Sequence, residues 1–164
     1  MTRIARSFRL ISLTLATATL ALAAHAADTG PSTSSTTPAK LATARELIQQ
    51  NKWVAAIDAL KQVDDSGSAD WNNLMGYTAR KLAPPDYAAA GRYYDAALRI
   101  DPKHRGALEY SGELFLITGD LPKAEERLAA LDKACRFSCQ EYRELKRAVE
   151  RYKAAGNKYV AQPY

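Results

Sequence analysis

The feature that most constrains this chain of 164 residues is an apolar pattern that repeats every 34 residues between positions 53 and 131. A large, a small, a large and a medium-sized residue recur at this fixed spacing. The four sets are Trp53, Tyr87 and Leu121; Ala56, Ala90 and Ala124; Leu60, Tyr94 and Leu128; and Val63, Ala97 and Leu131. A period near 34 is typical of helix-turn-helix solenoids. Because one such unit cannot bury its apolar face alone, neighbouring units stack and share a core.

Small residues and turn residues complete each unit. The last repeat has Gly112 midway along its first helix and Gly119-Asp120 at its turn, and the middle repeat has Gly76 and a closing Asp101-Pro102. The first repeat is degenerate, with Ala44, Leu47, Asn51, Trp53, Ala56 and Leu60. Over roughly residues 40–134 these positions resemble the tetratricopeptide repeat (TPR) family.

The resemblance implies an all-α fold: a TPR-type helix-turn-helix solenoid of about three repeats with a C-terminal capping helix. We expect the solenoid and cap at 40–155, with repeats at about 40–68, 69–102 and 103–134 and a cap at 139–155. A flexible Ser/Thr/Pro-rich linker at 27–39 precedes them, and a tail at 156–164 follows. The two extra residues Pro84-Pro85 should lengthen one turn without changing the packing register.

Local residues predict where two of the helices begin and where the capping helix ends. Asp70 stands where the N-cap of a helix at 71–82 is expected, and Asp101 is predicted to cap a helix that begins at Pro102. Gly156-Asn157 should end the capping helix.

Residues 1–26 have the form of a secretory signal peptide. Arg3, Arg6 and Arg9 precede an uncharged apolar run, and Ala24-His25-Ala26 forms a small-x-small cleavage site. We therefore predict cleavage after Ala26, export of a bacterial protein to the periplasm, and no membrane span in the remaining chain. The alternative is a retained amphipathic anchor.

The charge balance depends on this signal. The chain has 23 Lys and Arg against 18 Asp and Glu, a net charge of +5, and three of the Arg residues lie in the signal. The mature chain is therefore close to neutral, and we predict no nucleic-acid binding.

No catalytic constellation is present in the sequence. His104 is the only histidine after residue 26, and a lone histidine builds neither a triad nor a metal cage. We predict no enzyme activity, no cofactor and no metal. The favoured function is an exported scaffold that binds a protein or peptide partner without doing chemistry; nothing in the sequence sets its oligomeric state.

The resemblance to TPR modules implies a concave groove lined by the first helix of each pair. The corresponding partner-binding positions are Arg45, Gln49, Asn73, Tyr77, Arg80, Lys81, Glu109 and Glu113. The rim is expected to be positive in the middle pair and negative in the third, which suits a partner carrying both signs. Gly106 and Tyr110 replace two basic residues of the carboxylate clamp found in some TPR modules, so that clamp is not predicted.

Cys135 and Cys139 lie at the break between the last repeat and the cap. An exported protein with two cysteines favours a disulfide. Free or transiently oxidised thiols are a second interpretation. A redox or metal-relay pair is a third, and it would make the chain a thiol-based redox or metal-handling accessory protein. A further rival is a small subunit of an envelope assembly.

Overall fold

The computed structural model describes residues 37–160 of the chain, and within that range it contains eight helices and no strand. The helices are α1 Thr37–Lys40, α2 Ala42–Gln49, α3 Trp53–Val63, α4 Ala69–Lys81, α5 Tyr87–Ile100, α6 Arg105–Ile117, α7 Leu121–Ala134 and α8 Gln140–Ala154. The predicted all-α class is confirmed. The predicted signal peptide, most of the predicted linker and the last four residues of the tail lie outside the described residues.

The helices pack as a TPR-like helical repeat. Helix α2 packs against α3, α4 against α5, and α6 against α7, while α8 covers α6 and α7. Three apolar clusters each connect a pair of helices to the helix that follows the pair. Examples of residues that share a cluster are Leu60 with Trp71, Tyr94 with Leu114, and Leu131 with Leu145. Each pair therefore completes its core with the next element, as expected of a solenoid.

The repeat positions lie in this core. Ala56, Ala90 and Ala124 are fully buried, and so are Tyr94 and Leu131. The spacing of 34 therefore marks equivalent packing positions, and the insertion at Pro84-Pro85 falls in the loop between α4 and α5.

Two glycines permit close approach of a neighbouring helix. A Cβ atom at Gly76 would lie 2.7 Å from the ring of Tyr94 and 3.1 Å from the carbonyl oxygen of Ala90. A Cβ atom at Gly112 would lie 2.5 Å from Leu145 of the capping helix. The distances to the Tyr94 ring and to Leu145 are shorter than the optimal carbon–carbon separation of about 3.5–4.0 Å, so a larger residue at either glycine position forces neighbouring atoms to move.

Two of the predicted helix starts are wrong. The N-cap of α4 is Ser68, whose hydroxyl accepts a hydrogen bond from the backbone N–H of Trp71 at 3.3 Å, and Asp70 lies in the first turn. The N-cap of α6 is His104, whose Nδ1 accepts from the N–H of Ala107 at 3.0 Å. Asp101 instead accepts from the N–H of Lys103 at 2.9 Å in the turn before α6. Ser68 lies two residues before the predicted cap of α4 and His104 three residues after that of α6, and a hydrogen bond between His104 and Asp70 joins the starts of the two helices.

The chain ends of the solenoid also differ slightly from expectation. Helical structure begins at Thr37, inside the stretch predicted to be linker. At the other end the prediction is confirmed: α8 ends at Ala154, and Gly156 and Asn157 both have positive φ.

Candidate functional site

The predicted groove positions lie on α2, α4 and α6, the first helices of the three pairs. Side chains on these helices contact one another directly. We call the surface that carries these positions the inner face.

At one end of the inner face a single carboxylate connects three repeats. Asp70 Oδ2 lies 3.3 Å from Arg45 Nη2 of α2, and Asp70 Oδ1 lies 2.9 Å from His104 Nε2. Because His104 Nδ1 accepts from Ala107, Nε2 carries the proton and donates it to Asp70. The hydrogen bond from His104 and the nearby charge of Arg45 hold the pKa of Asp70 below its ordinary value, although burial opposes the shift. His104 therefore has a structural role, because it caps α6 and bonds α6 to α4.

The centre of the inner face is a buried ion pair. Arg80 Nη1 lies 2.7 Å from Glu113 Oε2, and the Arg80 side chain is only 6% exposed. The guanidinium group also lies 5.6 Å from the ring centroid of Tyr77 and 5.5 Å from that of Tyr110. Breaking a buried pair by removing one partner leaves an uncompensated charge, at a cost of about 3–5 kcal/mol. Arg80 and Glu113 thus fix α4 against α6.

Partly exposed aromatic rings continue across the inner face from this centre. The ring centroids of Trp53 and Tyr77 are 6.1 Å apart, and those of Tyr77 and Tyr110 are 4.8 Å apart. These three residues, which we call the aromatic row, come from α3, α4 and α6. Lys81 Nζ lies 5.6 Å from the Tyr77 centroid, and burial, together with the charge of Arg80, lowers the pKa of Lys81. The aromatic row thus presents three partly exposed rings on the inner face, with Lys81 beside the central one.

Glu109 is a buried carboxyl group that faces other acids. It is 4% exposed. Burial, followed by the hydrogen bond with Glu144 and the charge of Glu113, raises the pKa of Glu109 to about 10. Glu109 is therefore uncharged at neutral pH and holds α6 against α8.

The eight predicted groove residues thus divide by exposure. Gln49 is exposed; Arg45, Tyr77, Lys81 and Glu113 are partly exposed; Asn73, Arg80 and Glu109 are buried. The expected charge pattern of the rim needs correction, because Glu113 neutralises Arg80 and Glu109 is protonated. Arg45 is paired with Asp70, and Lys81 lies beside the ring of Tyr77.

Sequence reasoning missed four residues of this face: Trp53 as a groove ring, Tyr110, Asp70 and His104. A signal was available in the repeat itself. Asp70 and His104 are 34 residues apart, and Arg80 and Glu113 are 33 apart. Each pair joins α4 to α6 or to the residue that caps α6.

Cys135 and Cys139 lie in the turn between α7 and α8, outside the inner face. Their sulfur atoms are at disulfide distance and their Cα atoms are 5.7 Å apart, within the range that a disulfide requires. Across residues 37–160, no group of three or more His, Cys, Asp and Glu side chains could hold a metal ion. In the same range, no helix is both long and apolar enough to cross a membrane.

Comparison with known proteins shows a likeness in fold. No protein-family model and no curated protein matches this chain. The fold is similar to the crystal structure of the Yersinia enterocolitica type III secretion chaperone SycD in complex with a peptide of the translocator YopD. The TM-score is 0.59 at 20% sequence identity, covering 75% of this chain and 93% of SycD. At that identity the likeness shows the fold, an all-helical TPR-like repeat.

Proposed function

We propose that this chain is an exported, non-catalytic scaffold of the TPR family that binds a segment of another protein on its inner face. The observation that carries the proposal is the aromatic row. Trp53, Tyr77 and Tyr110 are partly exposed and come from three successive repeats. The ring centroid of Tyr77 lies 6.1 Å from that of Trp53 and 4.8 Å from that of Tyr110.

Such rings are suited to recognise a protein segment. Tyr and Trp supply large contact areas with few rotatable bonds, and they are enriched together with Arg among residues that dominate binding energy. The buried Arg80–Glu113 pair holds Tyr77 and Tyr110 in place before a partner arrives, which reduces the ordering cost of binding.

Two further findings support this assignment. SycD, whose fold this chain shares, is a chaperone in complex with a peptide of a partner protein. Two ionisable side chains of the inner face have structural roles, His104 in a helix cap and Glu109 in a contact between helices. Export rests on the signal-like residues 1–26 and places the interaction in the periplasm.

A selection from a random peptide library displayed on phage tests the proposal. The selected peptide is synthesised, and its Kd is measured for the wild-type chain and for Tyr77→Ala and Lys81→Glu. We expect saturable binding to the wild type and a loss of about thirty-fold or more in Tyr77→Ala, since truncating a dominant residue costs about 2 kcal/mol or more. Reversing the charge at Lys81 should weaken binding by about ten-fold.

Lys133→Glu is the matched control, because it makes the same charge change at an exposed site on α7. It should leave the Kd unchanged. Equal losses in Lys133→Glu and Lys81→Glu, or unchanged binding in Tyr77→Ala, would remove the inner face as the binding site.

A further inference from the structure

The chain reverses direction after the capping helix. The N–H groups of Gly156 and Asn157 donate to the carbonyl oxygens of Lys153 and Tyr152, each at 3.0 Å. Both residues have positive φ, 70° and 61° respectively. Because this backbone region favours Gly and Asn, the sequence itself specifies the reversal.

The reversal brings the following residues to the inner face. Tyr159 and Val160 line a small recess together with Glu113 of α6 and with Ala148, Arg151 and Tyr152 of α8. Tyr159 is 43% exposed and Val160 is 51% exposed, so each buries about half of its surface although no helix or strand contains it. This part of the tail is therefore docked against α6 and α8.

The docked residues reach the centre of the inner face. Glu113, which contacts the recess, is the partner of Arg80. Burial and the charge of Glu113 raise the pKa of Tyr159, while the charge of Arg80 opposes the shift. The Tyr159 hydroxyl group is thus neutral and lies in the field of the Arg80–Glu113 pair.

We infer that the part of the inner face between α6 and α8 is a binding site for an extended peptide segment with an aromatic residue followed by an aliphatic residue, and that Tyr159-Val160 of the chain itself fills this site. The contacts on each side match this chemistry. Ala148 and the Tyr152 ring supply apolar surface, and Glu113 and Arg151 supply polar groups at the rim.

Filling of the site by the tail has a regulatory consequence, which rests on the proposed function. A partner segment that extends from the aromatic row toward α8 must displace Tyr159. Because the tail is tethered by only a few residues, its effective concentration at the recess is high, in the millimolar range. The apparent Kd of any competitor therefore equals its intrinsic Kd divided by the fraction of chains in which the tail has left the site.

A peptide in trans tests the inference. The probe is a fluorescent synthetic peptide with the sequence of residues 158–164, and its binding is followed by fluorescence anisotropy. Two full chains purified after export are compared, the wild type and the double variant Tyr159→Ala, Val160→Ala. We expect saturable binding to the double variant, and binding to the wild type that is about ten-fold weaker because its own tail competes.

The controls keep the result specific. Lys158→Ala changes the neighbouring tail residue, which does not line the recess, and should bind the probe as weakly as the wild type does. A probe peptide carrying the same two alanines should not bind. Equal Kd values for wild type and double variant, or no saturable binding to the double variant, would overturn the inference. That failure would leave the proposed function intact if the phage-selected peptide still requires Tyr77 and Lys81.

Discussion

Two glycine-to-alanine substitutions test the packing of the repeats, because the same chemical change should have opposite effects at two helix positions. Gly76 lies inside α4 and Gly91 inside α5. Alanine is favoured over glycine in a helix interior by about 1 kcal/mol. At Gly91 the nearest atom to an added Cβ is Leu114 Cδ2 at 3.7 Å, an ordinary contact. We therefore expect Gly91→Ala to stabilise the fold by about 0.5–1 kcal/mol.

At Gly76 the added Cβ atom would lie 2.7 and 2.8 Å from two ring carbons of Tyr94. Tyr94 is fully buried, so its ring cannot swing aside without moving its neighbours. Overpacking of this kind costs about 1–3 kcal/mol, and the gain in helix propensity of about 1 kcal/mol offsets only part of it. We expect Gly76→Ala to destabilise the chain by up to about 2 kcal/mol.

Urea unfolding followed by circular dichroism measures both effects, with the slope of the transition checked for constancy. Thermal unfolding should agree, with shifts of about 3–5 °C per kcal/mol for a domain of this size. A Gly76→Ala variant as stable as Gly91→Ala would show that α4 and α5 do not meet at this point, and the assigned repeat register would fall.

Three further predictions concern buried groups. The Tyr94 hydroxyl is buried without a hydrogen-bond partner among the described residues, so Tyr94→Phe should raise the unfolding free energy by about 1 kcal/mol, whereas a loss of stability would reveal a bond to that hydroxyl. Burial raises the pKa of Glu109 to about 10 from an ordinary 4.5, so at neutral pH the folded chain binds a proton that the unfolded chain releases. The free energy of unfolding should therefore fall as the pH rises above about 4.5. Urea titrations at several pH values measure this decline, and Glu109→Gln should make it shallower between about pH 5 and 8. Cys135 and Cys139 should take up no alkylating reagent by intact mass until reductant is added, and reduction should speed amide exchange in residues 140–155; two alkyl groups without reductant would favour the thiol-based accessory protein.

The helical pairs and their core could be predicted from the sequence because the same packing positions recur in every repeat of a solenoid. Ala56, Ala90 and Ala124 are 34 residues apart and all are fully buried, so one period located the core of every pair. Gly76 and Gly112 could likewise be recognised as close contacts, since glycine inside a helix is unfavourable unless another element needs the space.

The chemistry of the inner face could not be predicted in the same way. The resemblance placed Arg80, Glu109 and Glu113 on the groove, but burial changes what these groups do. Arg80 and Glu113 neutralise each other at 2.7 Å, and Glu109 holds a proton against α8. Asp70 was expected to cap its own helix; its position within bonding distance of both Arg45 and His104 depends on how three repeats stack. Local sequence rules contain no information about such contacts.

The most direct test of the central claim is site-specific photo-cross-linking in the cell that produces the protein. A photo-reactive residue is placed at Gln49, an exposed position of the inner face, or at Glu126, an exposed position on α7. We predict a discrete cross-linked product from position 49 that is absent from position 126 and is lost when Lys81→Glu is added. A product from position 126 alone, or from position 49 regardless of Lys81→Glu, would contradict binding of a partner on the inner face.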